Sequence, residues 1–163
     1  MLVIGENPNQ GLTNLGEGND VAALVSKLKL GERVIFLGKV SEDDLKSCYA
    51  AAQAQVFPLI DVPGDVEGFG MVAIEAMMRG TAVLASNSGG LRDIVRNGET
   101  GLLVAPDEVE AWASALTALL SDRDRCEAMG AAGRKVALDE YTVGQKIDRI
   151  LSLDIARDDI AHP

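Results

Sequence analysis

The sequence predicts a doubly wound α/β fold built on a parallel, Rossmann-like sheet. Three observations carry this: short β-rich segments alternate with longer helical patterns over residues 2–104, the strand segments are apolar, and from Asp107 onward the pattern is helical only. The first two strands, 2–5 and 33–38, end in glycine and lead through loops into helices at 21–29 and 43–52. The second of these helices opens at Ser41 with Asp44 three residues on, a variant of the capping box. Strands follow at 56–59, 82–85 and 101–104, with helices at 70–79 and 91–95 between them. Helices at 108–120 and 123–136 and a weaker one at 143–151 complete the pattern. One domain over 1–152 with a frayed tail over 153–163 is expected. The loop over 7–19 is long and has no assigned purpose, and there is no internal repeat or low-complexity linker.

Composition narrows the function classes. A chain of 163 residues with 47% hydrophobic content should bury roughly 70% of its unfolded surface in one domain. A formal charge of −10 and a pI near 4.5, without any Lys/Arg cluster, argue against nucleic-acid binding. Cys48 and Cys126 have neither CxxC spacing nor a neighbouring histidine, since the only one is His162. No metal site or disulfide framework is expected, and a reducing cytoplasm fits. The first residues do not resemble a signal peptide, and no apolar run approaches the ~20 residues of a membrane span.

In open α/β sheets ligands bind at the carboxyl ends of strands. There, after 56–59, come Pro63, Gly64, Asp65, Glu67, Gly68, Phe69 and Gly70. Gly68 and Gly70 let the backbone turn sharply, and the helix that follows aims its free N–H groups at the same spot, which makes an anion site. Glu67 lies just outside it. Glu75 follows after seven residues that carry no charge and no side-chain hydrogen bonder, so it reads as a lone acid in a buried helix. Burying an unpartnered carboxylate costs several kcal/mol or shifts its pKa, so a polar ligand is the expected partner. Hydroxyl-rich sugars flanking a diphosphate would satisfy two such acceptors.

Blander readings stand beside these. Glu67 can be a loop acid or helix cap worth ~0.3–1 kcal/mol, and Glu75 can pair with Arg79 one turn on. Gly89 and Gly90 read as turn residues; Met71, Met77 and Met78 as core; Asn97, Gly98 and Gly101 as a tight turn; Arg92 and Asp93 as a solvated face. Trp112, Leu116 and Leu119 share a helical spacing that reads as core or interface.

The run from Glu67 through Gly68, Phe69, Gly70, Met71 and Val72 to Glu75, then Gly80-Thr-Ala-Val-Leu-Ala-Ser, Gly89-Gly90 and Asn97-Gly-Glu-Thr-Gly-Leu-Leu-Val, resembles the donor half of group 1 (family four) retaining glycosyltransferases, in matching order over 2–141. The resemblance implies the C-terminal half of a GT-B fold, in which two Rossmann-like domains face across a cleft and this one holds a nucleotide sugar. It implies that Glu67 meets the donor sugar near its anomeric centre as the catalytic-site carboxylate, and that Glu75 meets the ribose hydroxyls. Gly68 and Phe69 would belong to the same donor-binding run, Gly70, Met71 and Val72 would offer backbone N–H groups to the diphosphate, and Gly38, Lys39 and Val40 would line the nucleobase. The family generally needs no metal, so neither a metal ion nor a cofactor besides the nucleotide-sugar substrate is expected. Any contact with the inner membrane face would come through a domain outside this chain.

Departures from the family are as informative. The family places a Gly-Arg turn and a downstream lysine, the cations that neutralise the departing diphosphate, just before the segment at which this sequence starts, and they are missing from that place. So is the first strand, which in a 3-2-1-4-5-6 order lies mid-sheet between the strands at 2–5 and 56–59, so two half-sheets with unpaired edges are expected. Met1 then reads as an internal start, from a split gene or a truncation, unless another chain fills the gap. The N-terminal domain carrying the acceptor site is also absent. The chain is expected to be the donor-binding half of a glycosyltransferase, inactive alone. The alternative is a non-catalytic Rossmann-like remnant that scaffolds a partner through its acidic surface. A sugar-nucleotide epimerase or a phosphorylase fits the Glu67–Gly70 context poorly.

Overall fold

The computed structural model describes residues 1–5, 21–59, 70–142 and 144. Its elements run β1 (Leu2–Ile4), α1 (Val21–Lys27), β2 (Ile35–Gly38), α2 (Glu42–Ala51), β3 (Ala54–Phe57), α3 (Met71–Met78), β4 (Ala82–Ser86), α4 (Leu91–Ile94), β5 (Gly101–Val104), α5 (Val109–Ser121) and α6 (Arg123–Glu140). The alternation expected from the sequence is present. The loop at 7–19, the weak helix at 143–151 and the tail lie outside the described residues, apart from Gly144. Two compact units, Met1–Ser47 and Cys48–Pro163, divide within α2.

In the first unit β1 and β2 pair in parallel, Leu2 opposite Ile35 and Val3 opposite Phe36, before the register shifts at Ile4. β2 starts later than expected because the Arg33 and Val34 N–H groups donate back to the Leu30 carbonyl in a turn. α1 ends early for a related reason, since Lys29 takes a left-handed φ of 55°. Leu24, Leu28, Ile35, Phe36 and Leu37 are all exposed. Ser41 caps the helix: the Asp44 N–H donates to Ser41 Oγ at 3.1 Å, and the Ser41 hydroxyl, in place of the backbone N–H of a full capping box, donates to Asp44 Oδ2 at 2.7 Å. Ser41→Ala should therefore cost about 1 kcal/mol, read as a lower urea midpoint of the chain. An unchanged midpoint would mean that the cap contributes nothing.

In the second unit β3, β4 and β5 form a parallel sheet in that order. With β2 beside β1, this is the order expected of the two half-sheets. Ladder pairs run from Ala54 opposite Ala82 to Phe57 opposite Ala85, and from Val83 opposite Gly101 to Ser86 opposite Val104. β3 sits two residues earlier than the sequence suggests because Pro58 lacks the N–H needed to continue the ladder. All five residues of β4 are buried, as befits a central parallel strand packed by α3, α4 and α6. Ala82 and Leu84 join Val104, Leu119, Cys126 and Met129 in a core that Trp112 and Leu116 help to close, as their spacing implied. Trp112 Nε1 donates to the Ala105 carbonyl at 3.1 Å. α6 runs on to Glu140, since Ala137 to Glu140 contain no stop signal.

The turn at Asn97 and Gly98 also forms. Gly98 has φ 83° and donates to the Gly101 carbonyl at 2.8 Å, while Asn97 Oδ1 accepts from the Leu103 N–H at 3.0 Å. Gly89 and Gly90 are turn residues, and Arg92 and Asp93 are exposed. Cys48 and Cys126 are free thiols, Cys126 buried and donating to the Leu119 carbonyl. Among the described residues no helix is long and apolar enough to cross a membrane.

Candidate functional site

At the carboxyl ends of the second unit's strands, hydrogen bonds fix the loop origins. The Ser86 hydroxyl donates to the Leu59 carbonyl at 2.6 Å, and the Asn87 N–H donates to the Val104 carbonyl at 2.7 Å. α3 enters this end through Gly70, which takes a left-handed φ of 57° and ψ of 34°. A Cβ there would also lie 3.1 Å from both Ile94 Cδ1 and Leu91 Cδ2, so glycine seats the start of α3 against α4. Among the described residues no side chain caps this helix. The Ala73 N–H turns back to the Gly70 carbonyl at 2.9 Å, and the Met71 and Val72 N–H groups have no acceptor inside the helix. Those amides are the donors that an anion would take. Gly70→Ala should cost about 1–2 kcal/mol from the φ alone, measured by urea denaturation. A neutral result would show that the start of α3 can relax.

Glu75 departs from expectation: it is exposed. α3 buries Ala73, Ile74, Ala76 and Met77 on its inner face, which leaves Met71, Val72, Glu75 and Arg79 on the outer one. The apolar neighbourhood in sequence is therefore not an apolar neighbourhood in space, and the carboxylate needs no ligand to justify burial. Met71, expected in the core, is 51% exposed for the same reason, whereas Met77 is buried as expected. No Glu75–Arg79 ion pair forms among the described residues. What remains is position: Glu75 stands one turn from the Met71 amide on the same open face. From Cys48 to Leu91 the sole cation is Arg79, which caps the far end of α3. That is about 12 Å along the axis from Met71, and the backbone amides contribute positive potential at the first turn.

Sequence reasoning did not find Tyr49. Its ring is buried, and its hydroxyl donates to Glu75 Oε2 at 3.5 Å. Burial, and then the Glu75 charge, raise the phenol pKa, so it stays a donor at neutral pH. The Tyr49 carbonyl in turn accepts from the buried Thr81 hydroxyl at 2.5 Å. These partners lie 26 and 32 residues apart in sequence, and no local pattern announces them.

Of the residues assigned from the resemblance, Gly70, Met71, Val72 and Glu75 come together at α3. Glu67, Gly68 and Phe69 lie outside the described residues. Gly38, Lys39 and Val40 belong to the first unit, where Gly38 ends β2 with φ 63° and its carbonyl accepts from the Gly5 N–H at 3.0 Å. Lys39 is exposed and Val40 half-buried. Among the described residues no group of three or more His, Cys, Asp or Glu side chains could hold a metal ion.

Comparison with known proteins follows the same residues. Positions 2–136 match the family model described as glycosyl transferases group 1. D-inositol 3-phosphate glycosyltransferase of Nocardia farcinica is 43% identical over 130 residues, covering 80% of this chain and 27% of that protein. The chain thus spans about a quarter of the length of such relatives. Among solved structures, sucrose-phosphate synthase from Thermosynechococcus elongatus superposes with a TM-score of 0.75 at 33% identity, over 96% of this chain and 38% of that one. Anabaena HepE in complex with UDP does so with 0.74 at 26% identity, over 93% and 40%. A family model that matches over most of the sequence places the chain in the group 1 glycosyl transferase family.

Proposed function

We propose that these residues form the donor-binding half of a retaining glycosyltransferase, one that moves a sugar from a nucleoside-diphosphate sugar to an acceptor hydroxyl. The observation that carries this reading is the start of α3, capped by no side chain among the described residues, with Met71, Val72 and the Glu75 carboxylate exposed on one face. The amides take the diphosphate and oppose the charge that develops as it departs. The carboxylate takes ribose hydroxyls, which donate to it where a bare phosphate would be repelled. Glu67 orients the donor sugar near its anomeric carbon, with Gly68 and Phe69 beside it, rather than acting as a base. Gly38, Lys39 and Val40 line the nucleobase.

In this reading catalysis is positioning plus stabilisation of leaving-group charge, with no metal ion taking part. The acceptor site, and cations to neutralise the leaving diphosphate, come from a further domain or a partner chain. The 163-residue chain alone does not turn over, and the whole works at the cytoplasmic side. Support comes from HepE, which is solved with UDP, and from relatives several times longer than this chain.

The test is a thermal-shift and calorimetric titration of the purified chain with UDP, GDP, ADP and their sugar conjugates. A ligand at 100 times its Kd should stabilise the fold by about 2.7 kcal/mol. Saturable binding of one nucleotide identifies the donor base. A well-folded chain that binds none favours the scaffold reading instead. Turnover of a nucleotide sugar beyond slow hydrolysis would contradict the claim that the chain is inactive alone.

A further inference from the structure

We infer that Tyr49 is a positioning residue for Glu75, holding its carboxylate ready for the vicinal hydroxyls of a ribose; this rests on the donor-site reading above. An exposed glutamate on a helix normally samples several rotamers, and freezing one on binding weakens affinity. Here one carboxylate oxygen, Oε2, is met by a phenol that cannot itself wander. Tyr49 is 5% exposed and is the buried residue of α2, and its carbonyl is pinned by the hydroxyl of Thr81, the residue just before β4. Glu75 Oε1 and the remaining lone pairs are left for the ligand. At 3.5 Å the Tyr49–Glu75 contact is long, and a second donor that fixes the carboxylate from the other side should shorten it. A tyrosine that served packing alone would need no hydroxyl, and phenylalanine would replace it without consequence.

Two measurements test this. In a Tyr141→Phe background, which leaves Tyr49 as the one tyrosine, ultraviolet titration of the phenol should shift to lower pH on Glu75→Gln. Separately, Tyr49→Phe should weaken the best-bound of UDP, GDP and ADP by about fivefold, while its 2′,3′-dideoxy counterpart and inorganic pyrophosphate bind as before. A phenol titration unmoved by Glu75→Gln, or equal weakening of all three ligands, overturns the positioning role and leaves the donor site standing. A phenol that shifts in a chain that binds none of the nucleotides overturns the donor-site reading, and the positioning role with it.

Discussion

Gly130→Ala should destabilise the second unit by about 3 kcal/mol or more, lowering its thermal midpoint by about 6–12 °C. Helix propensity alone predicts the opposite sign, since alanine is the better helix former by ~1 kcal/mol. Packing overrides it. A Cβ on Gly130 would fall 2.8 Å from the Gly80 carbonyl carbon, closer still to its oxygen, and 3.3 Å from the Ala82 nitrogen. All of these are backbone atoms, so no rotamer change can make room.

Nor can the Gly80 turn retreat. It ends α3 in a Schellman motif, with φ 77° at Gly80, the Gly80 N–H on the Met77 carbonyl at 2.9 Å and the Thr81 N–H on the Ala76 carbonyl at 3.1 Å. The added methyl must instead lift α6 away from β4, opening the core around Leu84, Cys126 and Met129. Gly133→Ala is the control, because the nearest atom its Cβ meets is the flexible Met77 Cγ at 3.3 Å, and a cost under ~1 kcal/mol is expected. Equal urea midpoints for both variants would show that α6 does not ride on the Gly80 turn.

These glycines mark the boundary of what the sequence discloses. The alternation of apolar strands and helices, the Ser41 cap and the Asn97–Gly98 turn are local signals, and all are present in the structure. The strand order followed from the family pattern, and the paired halves β2-β1 and β3-β4-β5 match it. In contrast, Gly130 reads in sequence only as a weak spot in a helix, because its role is set by Gly80, far away in the chain. Glu75 was misjudged for a related reason. The residues around it are apolar, yet the short α3 covers only one side, and the second side stays open with Glu75 on it. Hydrophobicity along the chain could not separate those two faces, and the Tyr49 contact is a product of α2 packing that no spacing encodes.

The exposure of Glu75 changes what its removal should do, and makes the sign of the effect diagnostic. Although Glu75 itself is exposed, it accepts from the buried Tyr49 hydroxyl, so Glu75→Ala should cost about 1–3 kcal/mol in urea denaturation, and binding is compared where both chains are folded. If Glu75 accepts ribose hydroxyls, the variant loses hydrogen bonds to a charged group worth about 1.5–3 kcal/mol, and Kd for the favoured nucleoside diphosphate should rise about 10–100-fold. If the carboxylate merely sits near the amides, removing it takes one negative charge away from an anionic ligand in a chain of net charge −10. At ~10 Å in water that repulsion is about 0.4 kcal/mol per ligand charge before screening, and binding would tighten up to a few-fold. Inorganic pyrophosphate separates the two contributions within one protein, since it keeps the diphosphate and lacks the ribose. Glu75→Ala should weaken the nucleotide and slightly strengthen pyrophosphate. Two shifts of the same sign would remove Glu75 from the ribose, and with it the main reason for aiming a nucleotide at this face of α3.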